Sequence, residues 1–197
     1  MSLDILEKSD IKIRSAAADD VPFIARCVMA AARVKDLDEP AGDDRHSTVF
    51  MEVCGIEHSL YYWNHVRIAI DATTGSPVGC LVAYDGRRYA RSREMTFGYI
   101  SEKLGMTIEE TDMETCKGEY YLDSMAILPE YRGRSIGKML IEDAVSQGIA
   151  EGHNRFTLIA EKEAASLQSY YSSIGFVPEE EIIFFGHPYV RMVRCIV

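Results

Sequence analysis

The sequence predicts an α/β fold, one mixed β-sheet with flanking helices, and three stretches carry that prediction. Residues 119–151, EYYLDSMAILPEYRGRSIGKMLIEDAVSQGIAE, read as a strand, a basic glycine-containing turn and a helix. Tyr120–Leu128 is rich in strand formers, and Pro129 ends the run because proline offers no backbone N–H to a ladder. From Ile136, apolar residues recur at Met139, Leu140, Ala144 and Val145, which is helical spacing. Phe156–Ala160 then returns as a short strand, and strand, helix, strand in this order requires a right-handed crossover between parallel neighbours. At the two ends, hydrophobic runs flank turn chemistry: Val66–Ile70 and Val78–Tyr84 around Asp71–Pro77, and Ile182–Phe185 and Val190–Ile196 around Gly186-His187-Pro188. The sheet is therefore antiparallel at its start, parallel in the middle and antiparallel again at its end.

Taken in order, residues 1–10 are a loose lead-in and Ile11–Arg14 alternates as a short strand. Asp19 or Asp20 caps a helix over Val21–Val34, with Pro22 tolerated in its first turn and Ile24, Val28, Ala31 and Ala32 forming its apolar stripe. Residues 36–44 are an acidic loop with Pro40 and Gly42, and a weaker helix covers roughly 46–54. The stretch between Tyr84 and the central strand is too long for an ordinary connection. Within it, Arg87–Lys103 reads as a helix and Thr107–Glu114 as an acidic loop, an added helix and flap of the kind that sets substrate selectivity. Its charges (Arg87, Arg88, Arg91, Glu94 and the run Glu109–Glu114) read as a solvated surface over one buried stripe, part of which closes over an acceptor. Ala164–Ser173 is the last helix, with Gly175 as its C-cap. There is no internal repeat, so residues 1–197 are expected to form a single domain with an insertion at about 85–118.

Composition narrows the function classes. Hydrophobic content of 47% and charged content of 26% are ordinary for a globular protein, and no apolar run approaches the ~20 residues of a membrane span. MSLDILEKSD carries acidic groups and no apolar core, so it is not a signal peptide. The cysteines at 27, 54, 80, 116 and 195 form no C-x-x-C pair and have no histidine at ligand spacing, which argues against a disulfide framework or a metal and fits the cytoplasm. The net charge of −10 disfavours nucleic acid as a partner. Against that acidic background, Arg132, Arg134 and Lys138 cluster at a turn that delivers free N–H groups to a helix N-terminus. A small phosphate-bearing ligand at residues 132–138 follows. A P-loop is excluded, since Gly133 to Gly137 is one residue short and Met139 holds the hydroxyl position. The glycines also do not follow the dinucleotide pattern.

Met125-Ala126-Ile127-Leu128-Pro129-Glu130-Tyr131-Arg132-Gly133-Arg134-Ser135-Ile136-Gly137 resembles the acyl-CoA-binding motif of the GNAT superfamily of N-acetyltransferases, Arg/Gln-x-x-Gly-x-Gly/Ala after a strand and a proline-containing turn. Tyr171-Ser172-Ser173-Ile174-Gly175-Phe176 is similar to that family's second landmark, Tyr-x-x-x-Gly-Phe, and residues 11–31 are similar to its first strand and helix. The resemblance implies the GNAT fold, with a parallel strand pair splayed at the cofactor site. It also implies acetyl-CoA as co-substrate, no metal, and direct acetyl transfer to a primary amine of a small molecule or peptide. A non-catalytic acyl-CoA sensor and a protein-modifying acetyltransferase are the alternatives, and the final strands offer an edge for a homodimer. Two positions depart from the pattern. Ser135 replaces a glycine where positive φ is awkward for serine, and Ala164 replaces a frequent asparagine whose contact Ser166 could supply.

The resemblance assigns the N–H groups of Arg132, Gly133, Arg134, Ser135, Ile136, Gly137 and Lys138 to the pyrophosphate, and Met125 and Ile127 to the pantetheine arm. For the two arginines a solvated basic turn is the alternative. Tyr171 matches the family's general acid at the thioester sulfur, with a core aromatic as the alternative. An attacking amine must also lose a proton, and Asp123 is the best base candidate. Period-two alternation places Tyr121, Asp123, Met125 and Ile127 on one face. A structural role for Asp123, holding a backbone group or a cation, is the alternative. Glu119 lies too near the strand end to be preferred, and His153 and His187 read as structural or solvated.

Overall fold

The computed structural model describes residues 10–37, 45–107 and 111–196. The lead-in before residue 10, positions 38–44 of the first acidic loop and positions 108–110 of the second lie outside the described residues. Among the described residues seven strands form one sheet: β1 (Ile11–Ser15), β2 (Val66–Asp71), β3 (Pro77–Asp85), β4 (Tyr120–Ile127), β5 (Arg155–Glu161), β6 (Val177–Phe184) and β7 (His187–Cys195), in the order β1-β2-β3-β4-β5-β7-β6. β4 and β5 are parallel and every other neighbouring pair is antiparallel, as the sequence predicts. No helix among the described residues is long and apolar enough to cross a membrane.

Among the described residues five α-helices cover the sheet. α1 (Val21–Ala31), α2 (Arg45–Gly55) and α3 (Tyr89–Leu104) lie over one face, where Ile24, Val28, Phe50, Val53 and Phe97 join Ile68, Cys80, Val82 and Tyr121 in one buried cluster. α4 (Ile136–Ala150) and α5 (Ala165–Ser173) pack with the other face, where Leu140, Ile141, Ala144, Tyr171 and Ile174 join Leu81, Tyr120, Leu122, Phe156 and Leu158. Ion pairs from Arg67 of β2 to Asp143 (2.5 Å) and from Arg194 of β7 to Glu142 (2.8 Å) fix α4 to the sheet on both sides.

Three details differ from the sequence reading. α1 ends at Ala31 rather than Val34, because Arg33 turns left-handed at φ 55° and the Val34 N–H closes onto the Met29 carbonyl (2.8 Å). Asp20 is the N-cap residue, yet its carboxylate does not cap α1. It takes the Ala17 N–H (2.8 Å) and pairs with Arg14 (2.6 Å). β6 starts at Val177, well before Ile182. Its first half is the exposed run Val177–Glu181 of an outer strand, held by the β7 ladder and by Lys162–Glu181 (2.7 Å) and Arg155–Glu179 (2.5 Å), so it lacks the buried alternation that marks a strand in sequence.

The segment between β3 and β4 is more buried than its charge suggests. α3 turns Tyr89, Thr96, Phe97 and Ile100 inward, while Glu114, Thr115 and Glu119 are all buried. The expectation of a solvated acidic flap therefore fails for Glu114, because its carboxylate finds phenol donors inside the fold.

Candidate functional site

The site is built where β4 leaves β5. Their ladder holds only Tyr120↔Phe156 and Tyr121↔Thr157, while β5 continues along β7 as far as Glu161. On its other edge β4 pairs with β3, but the register slips: Ala83 faces Leu122 and Leu81 faces Met125, so Val82 opposes both Asp123 and Ser124. This β-bulge inserts one extra residue and bends the strand, opening a gap between β4 and β5 whose β4 edge has backbone groups free for a ligand.

The bulge also corrects the expected alternation. Tyr121 packs with the α1–α3 side, whereas Met125 and Ile127 pack with the α4–α5 side alongside Tyr120 and Leu122. Asp123 turns to the α1–α3 side, where the Tyr84 hydroxyl donates to its Oδ2 (2.5 Å) and the Ser124 hydroxyl to its Oδ1 (2.8 Å). Asp123 and the pair Met125/Ile127 therefore do not share a face. The one extra residue separates a carboxylate from the apolar groove on the opposite side.

Burial pushes the Asp123 carboxyl up to about 6, against the pull of the Tyr84 and Ser124 hydrogen bonds. A carboxylate in that range is ionised at neutral pH yet more basic than an exposed aspartate, which suits a proton acceptor. Glu119, by contrast, is occupied. Arg155 (3.0 Å) and Arg191 bind one oxygen, and Thr115 (2.9 Å) and the Cys116 N–H (3.1 Å) bind the other.

The basic turn connects the end of β4 to α4. Gly133 and Ser135 take left-handed conformations, at φ 75° and φ 61°, on either side of Arg134. Met139 is the first α4 residue whose N–H meets a turn carbonyl, that of Ser135 (3.1 Å), so Ile136, Gly137 and Lys138 precede it with N–H groups that have no intrahelical partner. Alternating backbone twist with converging N–H groups is an anion-binding arrangement, and the helix dipole reinforces it. Serine at 135 adopts the backbone angles expected of glycine, so the turn is preformed. The arginine side chains brace it: Arg132 donates to the Ile127 carbonyl (3.1 Å), and Arg134 donates to the Glu130 carbonyl (3.0 Å) while its guanidinium lies 4.9 Å from the Tyr131 ring centroid. Lys138 is exposed and the Ile136 side chain is core.

α5 brings two tyrosines to this region. Tyr171 is nearly buried, its ring 6.2 Å from that of Phe176, and burial pushes its phenol up to about 12. Tyr170 reaches further toward the turn. A Cβ placed on Gly137 would lie 3.3 Å from the Tyr170 hydroxyl and 3.4 Å from both Ile127 Cδ1 and Met125 Cε. Sequence reasoning passed over Tyr170, although adjacent tyrosines on a helix point about 100° apart. A cleft of about 260 Å³ lies between Ala30 and Ala31 of α1 and Met125, Ala126, Ile127 and Arg132. A larger cavity of about 390 Å³ sits at the far end of β4 and α4, beside His65, Asp85, Tyr120 and Glu151, away from the turn. Ala164 forms the N-cap of α5 without a side-chain hydrogen bond, and Ser166 is exposed.

Comparison with known proteins gives a consistent picture. Residues 31–176 match the family model described as Acetyltransferase (GNAT) family. A crystal structure described as an acetyltransferase superposes with a TM-score of 0.75 at 22% identity, covering 94% of this chain and 100% of the other. An N-acetyltransferase from Staphylococcus aureus Mu50 gives 0.74 at 19% identity, covering 92% and 99%. The NatC complex bound to Gag peptide and CoA gives 0.57 at 18% identity, covering 95% and 99%. No curated protein sequence matches the chain.

Proposed function

Because the chain belongs to the acetyltransferase (GNAT) family, we propose that it transfers the acetyl group of acetyl-CoA directly to a primary amine of a small molecule or peptide terminus. The observation that carries this reading is the gap between β4 and β5, with the N–H-rich turn at one end and the bulged carboxylate of Asp123 beside it. The pyrophosphate lies on the N–H groups of residues 132–138. The pantetheine arm lies along the free edge of β4 at Met125 and Ile127, against Gly137 and Tyr170. The NatC complex, which shares this fold, is bound to both CoA and a peptide.

The amine nitrogen attacks the thioester carbonyl, the C–S bond breaks, and the amide forms. Asp123 takes the proton that the ammonium must lose, directly or through water. Tyr171 faces the departing sulfur. Its phenol keeps its proton at neutral pH, so hydrogen bonding to the thiolate is its larger contribution and full proton transfer the smaller one. The partly buried setting of Asp123, under the aromatic rings of Tyr84 and Tyr121, supports a slender amine rather than a broad protein surface.

The test is release of CoA from acetyl-CoA in the presence of a panel of amines: propylamine, phenethylamine, spermidine and a short peptide with a free N-terminus. Amine-dependent CoA release that Asp123→Asn reduces most above about pH 6, where the carboxylate is ionised and the amine still protonated, and least below it, supports the reading. Tight CoA binding with no amine-dependent release from any member sinks it in favour of an acyl-CoA sensor.

A further inference from the structure

The rings of Tyr84, Tyr89 and Tyr121 form a closed triangle, with centroids 6.5, 5.8 and 6.1 Å apart. Their hydroxyls are divided between two carboxyl groups. Tyr89 donates to Glu114 Oε1 and Tyr121 to Glu114 Oε2 (2.5 Å), whereas Tyr84 donates to Asp123 Oδ2 (2.5 Å). Tyr89 and Glu114 come from the segment between β3 and β4, and the other three residues come from the strands themselves. Glu114 is held in turn, because Arg191 of β7 donates to its carbonyl (3.1 Å).

We infer that Glu114 is a positioning residue for Asp123. By holding the Tyr89 and Tyr121 phenols it fixes the Tyr84 ring against them, and so fixes the hydroxyl that occupies one oxygen of Asp123, the other being held by Ser124. This inference rests on the reading of Asp123 as base. It gives the segment between β3 and β4 a part in the chemistry without contact with substrate.

Burial and the nearby Asp123 charge push Glu114 up to about 8 despite its two phenol donors. At neutral pH it therefore holds a proton, so the clamp adds no second charge beside the base, while each of its oxygens keeps its own phenol. The charged and titratable groups facing it have settled roles. Arg93 of α3 is bonded to Thr111, and Arg191 is bonded to Glu119 and Glu179. His65 packs 5.6 Å from the Tyr84 ring, and burial lowers its proton affinity. The Tyr61 phenol is kept neutral by burial.

The experiment is a carboxyl ¹³C NMR titration of Asp123 in protein labelled at aspartate, with the signal assigned by its loss in Asp123→Asn. Glu114→Ala is expected to raise the Asp123 midpoint in the same direction as Tyr84→Phe, by about one pH unit, the worth of one hydrogen bond to a charged group. The double variant goes no further than Tyr84→Phe alone, and Glu114→Gln, which is uncharged and keeps a polar atom at each phenol, stays at the wild-type midpoint below pH 8. An unmoved midpoint in folded Glu114→Ala, or additive shifts in the double variant, overturns the inference. If Glu114→Ala does not fold, Tyr89→Phe removes one hydroxyl of the clamp. A midpoint shift in the same direction then supports the inference, and no shift overturns it. The acid limb of kcat/KM is read beside the titration. If Asp123→Asn leaves that limb in place, the base assignment itself fails. If only the Glu114 variants leave it in place, the failure belongs to this inference alone.

Discussion

Glu114 and Glu119 enter the interior from the same short stretch and meet opposite partners: phenols hold Glu114, and two arginines hold Glu119. Their titration diverges accordingly. Burial alone would raise Glu119, but hydrogen bonds from Arg191, Arg155 and Thr115 outweigh it and bring the group down to about 2. Its contribution to stability is therefore present above the unfolded value near 4.5 and is lost as pH falls toward 2. Arg191→Met removes one of the two arginines from a buried carboxylate. The variant should lose about 3 kcal/mol in denaturant unfolding at pH 7, and the loss should shrink as the solution approaches pH 2.

Glu114 works in the other direction. In the folded protein it holds its proton to about 8, whereas the unfolded chain releases it near 4.5. Between those values the folded state binds the extra proton, so stability falls as pH rises through that window. Glu114→Gln removes the titration. Relative to wild type, the variant should gain stability steadily from pH 5 to about pH 8 and level off above it. Thermal unfolding at several pH values measures this, and a parallel pair of curves would count against it.

Tyr171→Phe deletes a hydroxyl without changing the packing of the ring on Phe176. Turnover should fall about 100-fold, the low end for a positioned acid because this phenol gives up its proton reluctantly. Calorimetric CoA binding and the melting temperature should stay within error. Unreduced turnover would return Tyr171 to the role of a core aromatic.

Ser135 already sits at φ 61°, ψ 15°, so replacing it with glycine gives the turn nothing it lacks. Ser135→Gly should bind CoA within about threefold of wild type because the turn already holds these angles, and its stability should change little, since the removed left-handed cost of ~1 kcal/mol is offset by the greater freedom of glycine in the unfolded chain. Ser135→Val is the informative contrast. A β-branched residue is a genuine outlier at these angles, so both stability and CoA affinity should fall, by roughly tenfold for the affinity.

Much of the fold was legible because its signals are local. The stripe of α4, the turn residues 71–77 and the Gly175 cap each report on their own neighbourhood, and each fell where the sequence placed it. The place of the β4 bulge was not legible, since the adjacent polar residues Asp123 and Ser124 in YYLDSMAI do not by themselves mark an extra residue. The extra residue is set by how Val82 meets Asp123 and Ser124 across the ladder. The burial of Glu114 was hidden for a related reason. Its donors, Tyr89 and Tyr121, stand 25 and 7 positions away in the chain, and an acidic stretch reads as solvated until they are seen beside it. The Tyr170/Tyr171 doublet could be read as two helix positions, but which one meets the groove depends on how α5 lies against α4.

The segment carrying Tyr89 and Glu114 departs after Asp85 and returns at Tyr120, and those two residues are partners across the β3–β4 ladder. At its neck the Gly86 N–H donates to the Glu119 carbonyl (2.9 Å), and a Cβ at 86 would meet the Cys116 carbonyl oxygen at 2.4 Å. As far as the sheet is concerned, β3 and β4 form a hairpin, whatever hangs beyond the neck. Since loop closure grows costlier only slowly with length, such a segment can be lengthened in its exposed parts while the strand register and the turn at residues 132–138 stay as they are. The segment between the two strands is in that sense a cassette, and grafting a different one at Gly86 and Glu119 tests whether it sets the acceptor.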